Sequence, residues 1–278
     1  MAGFPQGPLN GIPGGAGQLT RWDSELLVEA RISLLKLAVP GPIEVGTYTD
    51  EEVAVLEQPG GNPPAPAPWL AQLDAQQTEI TLATARRGLS ARGLYRVTSR
   101  GQDATEFDIE VGVMALALMS LRRLVSSIVM VERHIGDQAD WQVFYPQAGQ
   151  LWLRESIDGN GIHRFGLARP EHWVDKLMHW SEVGNENRSA PYFETLVPPG
   201  EARLPYAIEQ CSTMMLITRF DATAGETSVG ESWSSLHVGS EGCFLGRAGA
   251  SGVQYVGVGD WDVRRHWSDI LVNETEER

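Results

Sequence analysis

Apolar and polar positions follow the same order twice along this chain. The first copy runs through Ile128-Val129-Met130-Val131-Glu132-Arg133, then Leu151-Trp152-Leu153 just after Gly149. Gly161-Ile162-His163-Arg164-Phe165-Gly166-Leu167 comes next, and His172-Trp173-Val174-Asp175-Lys176-Leu177 closes the copy. The second runs through Met214-Met215-Leu216-Ile217-Thr218-Arg219, then Phe244-Leu245 after Gly242. Gly252-Val253-Gln254-Tyr255-Val256-Gly257-Val258 follows, and His266-Trp267-Ser268-Asp269-Ile270-Leu271 closes it. Each copy predicts glycine-opened strands and a short closing helix carrying HWxDxL. In that helix Trp173 with Leu177, and Trp267 with Leu271, fall four apart on one face. The offset grows from 86 residues (Arg133 to Arg219) to 94 (Trp173 to Trp267), as loop insertions would cause. That period is too long for a solenoid. It predicts an α+β fold of two pseudo-symmetric halves, each a mainly antiparallel sheet with a closing helix, plus an N-terminal helical segment.

The remaining elements follow from local signals. Ser24 can cap a helix over 24–37 that stops before Pro40; the apolar run at 32–37 also fits a strand, and helix is preferred. A short extended piece at 42–45 leads to Thr49, an N-cap candidate with acids behind it. Asp74 with Gln77 resembles a capping box and opens a helix that runs into a strand through Arg92-Gly93-Leu94. Val111, Met114, Ala115, Leu118, Leu121 and Leu124 lie at helical spacing, which predicts a buried helix over 107–125. The glycine clusters at 225–230 and 246–252 read as hairpin loops, and Pro205 to Gln210 as a helical turn. Residues 1–18 and 59–68 are rich in Gly and Pro and read as a disordered leader and a linker; 182–190 reads as a polar loop and 273–278 as a solvated tail. The expected organisation is one domain over 19–278, with halves at 19–190 and 191–278.

Charge and composition narrow the function classes. The 278 residues carry a net charge of −14, which opposes non-specific nucleic-acid binding. Cys211 and Cys243 form no CxxC pair or disulfide framework and read as buried free thiols. No signal-peptide pattern is visible, and the longest apolar run, 111–121, is too short for a bilayer, so a cytoplasmic protein without membrane insertion is expected.

No phosphate loop, nucleophile elbow, HExxH or dinucleotide fingerprint is present. His163, His172 and His179, with Glu171 and Asp175, carry metal-ligating chemistry, but the recurrence of His172 as His266 favours packing. The same recurrence weighs against an acid/base pair of Asp175 and Asp269. The expectation is therefore no catalytic residue, no cofactor and no metal. A second reading places the 74–97 helix–strand element on DNA through Arg86, Arg87, Arg92, Arg96 and Arg100, against the acidic balance of the chain. Seven tryptophans concentrate in the strand-rich halves. Tryptophan is core filler and also a preferred interface anchor. If helices cover one face of a sheet, the other is wet or covered by a partner. The expected partner face is Trp141, Phe144, Tyr145, Trp152, Trp233 and Leu236.

The order of these elements resembles the EspG family of actinobacterial type VII (ESX) secretion chaperones. The resemblance rests on the helical entry at 24–37, the Leu89-Ser90-Ala91-Arg92-Gly93-Leu94 element and the helix feeding a strand over 115–133. It continues through the Asp158-Gly159-Asn160-Gly161-Ile162-His163-Arg164-Phe165-Gly166-Leu167 strand, the amphipathic closing helix and the repeat of the strand set. The Pro-rich 59–68 stretch and the Gly-rich leader depart from that pattern. The resemblance implies a non-enzymatic cytoplasmic chaperone with no cofactor. Its implied partner is a secreted helical protein of PE/PPE-like or WXG type, whose apolar tip it hides until export.

Overall fold

The computed structural model describes residues 19–22, 24–57, 65–100, 106–123, 125–183, 193–201, 203–222 and 229–272. The leader, most of the 59–68 linker, most of the 182–190 loop and the tail lie outside these residues. In chain order the elements are β1 (Leu19–Thr20), α1 (Glu25–Ala38), β2 (Ile43–Thr49), α2 (Asp50–Leu56), α3 (Ala75–Ala91), β3 (Tyr95–Arg100), β4 (Glu106–Gly112), α4 (Val113–Arg123) and β5 (Ser127–Ile135). They continue with β6 (Gln138–Gln147), β7 (Leu151–Ile157), β8 (Ile162–Ala168), α5 (Pro170–Trp180), β9 (Glu194–Val197), α6 (Tyr206–Glu209), β10 (Cys211–Ala222), β11 (Val229–Gly239), β12 (Gly242–Gly249), β13 (Gly252–Val258) and α7 (Asp260–Leu271).

The fold is α+β. Ten strands form one antiparallel sheet in the order β2-β8-β7-β6-β5-β10-β11-β12-β13-β9, and β1, β4 and β3 form a small second sheet. The two repeats are therefore halves of one continuous sheet, joined where β5 pairs with β10. Val131 lies opposite Ile217 in that pairing, and these two residues are also equivalent at the repeat offset of 86. A pseudo-twofold axis thus passes through the seam. The glycines that open matched strands share a backbone requirement. Gly149 and Gly242 have φ of 75° and 132°, and Gly161 and Gly252 have 72° and 131°. A Cβ at Gly161 would also lie 2.7 Å from the Asp50 carboxyl, and one at Gly252 2.1 Å from the Val197 carbonyl oxygen.

Local chemistry starts the helices as the sequence predicts. The Ser24 hydroxyl accepts from Leu26 N–H at 3.2 Å, and α1 buries Leu27, Ala30, Leu34 and Ala38, a helical and not a strand period. Thr49 with Glu52, and Asp74 with Gln77, close reciprocal capping boxes. Pro170 sits at the first turn of α5. Two expectations change. Residues 107–112 belong to strand β4, because Phe107, Ile109 and Val111 alternate with Asp108 and Glu110 and pair with β3. Gly246 lies within β12 and not in a loop, since a Cβ there would meet Ser235 Oγ at 2.4 Å and the Tyr255 ring at 2.7 Å.

Helices α5 and α7 pack side by side on one face of the large sheet. Trp173, Leu177, Trp267 and Leu271 are buried there against Val129, Val131, Met215, Ile217, Leu236 and Leu245. This cluster crosses the seam. Trp173 Nε1 donates to the Trp152 carbonyl at 3.1 Å, while the buried Trp267 Nε1 has no hydrogen-bond partner among the described residues. Helices α1, α2 and α4 cover the opposite face of the first half, over Val143, Tyr145, Leu153, Phe165 and Leu167. On that opposite face in the second half, Ile208 of α6 and Phe193 cover Phe244 and Tyr255 of β12 and β13. Cys243 is buried and Cys211 half-buried; burial, with Cys243 nearby, pushes the Cys211 thiol up to about 11.

Candidate protein-binding face

Strand alternation places Met214, Leu216, Thr218 and Phe220 of β10 on the face away from α5 and α7, because Met215 and Ile217 point into the core under those helices. Register carries the same face to its neighbours. Thr218 lies between Trp233 of β11 and Met130 of β5, Leu216 lies between Ser235 and Glu132, and Glu132 in turn faces Trp141 of β6. Met214 lies between His237 and His134. Within this strip Met214 is 39% exposed and Trp233 41%, while Thr218, Ser235 and His237 are buried. Leu216, Phe220, Met130 and Trp141 are half-buried beside them. Trp141 and Trp233 frame the strip across three strand spacings, roughly 14 Å. Its polar members are short or paired: the His134 ring bonds the Glu132 carboxylate at 2.8 Å, and Thr218 and Ser235 are small. Burial lowers His237 to about 4, so this ring is neutral at physiological pH. The strip interleaves exposed or half-buried apolar side chains with these polar ones, and tryptophan and methionine are enriched at protein interfaces.

Of the six residues expected to form a partner face, Trp141 and Trp233 lie on this strip. Phe144, Tyr145, Trp152 and Leu236 do not: each is at most 1% exposed. Phe144, Trp152 and Leu236 pack beneath α5 and α7, and Tyr145 packs beneath the N-terminal helices. Met214 and Leu216 were not singled out from the sequence. Their signal was present in the uninterrupted Met214-Met215-Leu216-Ile217 run, in which both faces of the strand are apolar.

The histidines do not converge. His163 points to the N-terminal helices, whereas His172 and His179 lie on α5 across the sheet. His163 instead joins a buried ionic network that no sequence spacing indicated. Its Nδ1 lies 2.6 Å from Glu155 Oε1 and its Nε2 2.6 Å from Asp50 Oδ1. Glu155 Oε2 also accepts from Arg122 Nε at 2.7 Å and from the Tyr145 hydroxyl at 2.5 Å, and Arg122 bonds Glu57. Asp50 Oδ2 accepts from the Trp69 and Leu70 N–H groups at 2.8 and 3.0 Å. Two carboxylates facing both ring nitrogens require an imidazolium, since each can only accept. Burial by itself would lower His163, but the bonds to Asp50 and Glu155 outweigh it and raise its pKa. Burial would raise Glu155, but Arg122 and His163 hold it at about 2. For Glu57 burial prevails over Arg122 and raises the carboxyl. Asp50, Arg122, Glu155 and His163 are each at most 1% exposed, and the network ties α2 and α4 to the sheet.

The duplicated HWxD histidines share an electrostatic setting. Burial lowers both; Lys176 and, less, Arg154 lower His172 further, Arg247 lowers His266, and Asp175 or Asp269 opposes the shift. Asp175 itself pairs with Arg264 of α7 at 2.6 Å on the surface. In the 74–97 element, Arg86 and Arg87 are exposed, while Arg92 pairs with Glu52 and Arg96 with Glu110. Two of the five arginines of the DNA reading are thus neutralised locally.

No family model matches the chain, and no curated protein matches it. Among the solved structures similar to it is the Mycobacterium tuberculosis type VII secretion system chaperone EspG5, in complex with a PE25–PPE41 dimer. The identity is 12%, the TM-score is 0.47, and the match covers 83% of this chain and 95% of that one. A likeness of that size does not place the chain in a family.

Proposed function

We propose that the protein is a binding protein that shields an apolar segment of a protein partner on the open strip of β5, β10 and β11. The observation that carries this reading is Met214, Leu216 and Trp233 on a sheet face that the described helices leave uncovered. An antiparallel sheet facing water carries polar side chains outward, and here Met214, Leu216, Phe220, Met130 and the two tryptophans stand among Glu132, His134, Thr218, Ser235 and His237. The strip is long enough for an amphipathic helix to lay its apolar side against it. The finer reading, a chaperone for a secreted helical substrate of a type VII system without a catalytic step, follows from the resemblance in element order to the EspG family. A PE/PPE-like or WXG-type protein is then the partner.

Co-expression with such substrates from the same host tests the reading. The expected result is a stoichiometric complex that Met214→Glu and Trp233→Ala each weaken about tenfold or more with an unchanged melting temperature. Capture by both variants at wild-type strength would remove the strip from consideration. A failure to capture any helical secreted partner would remove the chaperone reading itself.

A further inference from the structure

On the other face of the sheet, a groove of about 370 Å³ opens between β6–β8 and the C-terminal half of α5. Its charges do not cancel locally. Asp140 is held bidentately by Arg133 and also accepts from Trp180 Nε1. Asp158 is held by Arg164 at 3.0 Å, and its other oxygen accepts backbone N–H groups. Both carboxylates that line the groove are therefore engaged. Arg154 and Lys176 are not: neither forms a hydrogen bond or ion pair with the described residues. The Arg154 guanidinium lies over the Trp173 ring at 5.1 Å, with Nε buried and unpartnered. Glu44 on β2 attracts it through space without reaching it, and burial still prevails and lowers its pKa. An arginine stays charged in such a place, so its idle Nε carries a desolvation cost that an acceptor would relieve.

The neighbouring polar groups are donors, or free to become donors. Gln142 Nε2 donates to Ser156 Oγ at 3.0 Å, which leaves the Ser156 hydroxyl hydrogen to point elsewhere. The end of α5 does not repel an anion through bare carbonyls. Those of Leu177, Met178, His179 and Trp180 accept, in turn, from Ser181 N–H, Ser181 Oγ, Glu182 N–H and Arg133.

We infer that this groove is a binding site for a small oxyanion, a carboxylate or a phosphate, held by Arg154 and Lys176 with Ser156 as a further donor. It lies across the sheet from the apolar strip and is independent of it. A planar guanidinium held over the Trp173 ring suits bidentate contact with two oxygens of one group. The ligand brings negative charge to Arg154 and Lys176, the two groove cations without an ion pair among the described residues.

The test is calorimetric titration of the full-length protein with inorganic phosphate and, separately, with acetate, at low ionic strength. Wild type takes up one equivalent saturably. Arg154→Gln and Lys176→Gln each weaken this about tenfold, the loss of one charge-assisted hydrogen bond. Arg96→Gln on β3, away from the groove, leaves it unchanged. Saturable binding of phosphate alone assigns a phosphorylated or free-phosphate ligand, and of acetate, a carboxylate such as a polypeptide terminus. Absence of saturable binding of either anion, or equal affinity in Lys176→Gln, overturns the site. Lys176 is exposed, so that variant decides even if Arg154→Gln fails to fold.

Discussion

His163 carries a charge that the fold requires and water cannot reach. With Glu155 on one side and Asp50 on the other, removal of the imidazolium leaves two buried carboxylates without their shared cation. His163→Gln is expected to cost about 3–5 kcal/mol, as for breaking a buried ion pair from one side. The pH dependence follows from the direction of the shift. The folded pKa lies above the ordinary 6.5, so the His163 contribution is fully present below about 6.5 and is lost as pH rises through the folded value. Glu155 works in the opposite window: held at about 2 against an ordinary 4.5, its contribution is present above 4.5 and is lost as pH falls toward 2. Denaturant melts from pH 5 to pH 9 should therefore show wild-type stability declining on the alkaline side, and His163→Gln should flatten that decline. An identical slope in the variant would show that the proton is not held there. None of this was legible in the sequence, because Asp50 and His163 are 113 residues apart and the long-range pairing of β2 with β8, which sets Tyr48 opposite His163, brings them together.

At the scale of elements, what was legible was what is local. Ser24, Thr49 and Asp74 announce their helices because a cap bonds two or three residues away. The HWxDxL helices were legible because a Trp and a Leu four apart leave one face to bury. Strand β4 was missed because Val111 continues into the apolar run of α4, and the alternation that marks it resolves only once β3 is paired alongside. Three of the four buried residues of the expected partner face, Phe144, Tyr145 and Trp152, failed for a related reason. At β6 and β7 helices cover both faces of the sheet, so Val143, Phe144 and Tyr145 are all inside and alternation carries no sign of in or out. The closing helices supply a direct comparison between the two halves. Trp173→Ala and Trp267→Ala should each destabilise by about 3–5 kcal/mol, the range for a buried aromatic. Trp173→Ala should cost the larger amount, because only Trp173 also gives up a hydrogen bond, to the Trp152 carbonyl. Urea melts read the difference; a smaller cost at Trp173 would mean that this bond contributes nothing net.

For the whole molecule, the sequence repeat indicated two halves but not how they meet. Pairing of β5 with β10 is a long-range choice, between residues about 86 apart at the axis, and no local signal specifies it. Its consequence is energetic. The core beneath α5 and α7 runs without a break from Val129 and Val131 across to Met215 and Ile217, so neither half buries its apolar face alone. The halves are expected to unfold together. Ile217→Ala, at the axis, removes a buried side chain worth about 2–5 kcal/mol and should lower amide-exchange protection equally in β7 of the first half and β12 of the second, each three places from the seam. If instead the loss were confined to β10–β13 while β7 kept its wild-type protection, the halves would be separate cooperative units sharing a seam. The open strip over β5 and β10 would then lie on a hinge rather than on a rigid face. A rigid face suits a binding protein because it loses little entropy when its partner docks, and the exchange experiment distinguishes the two.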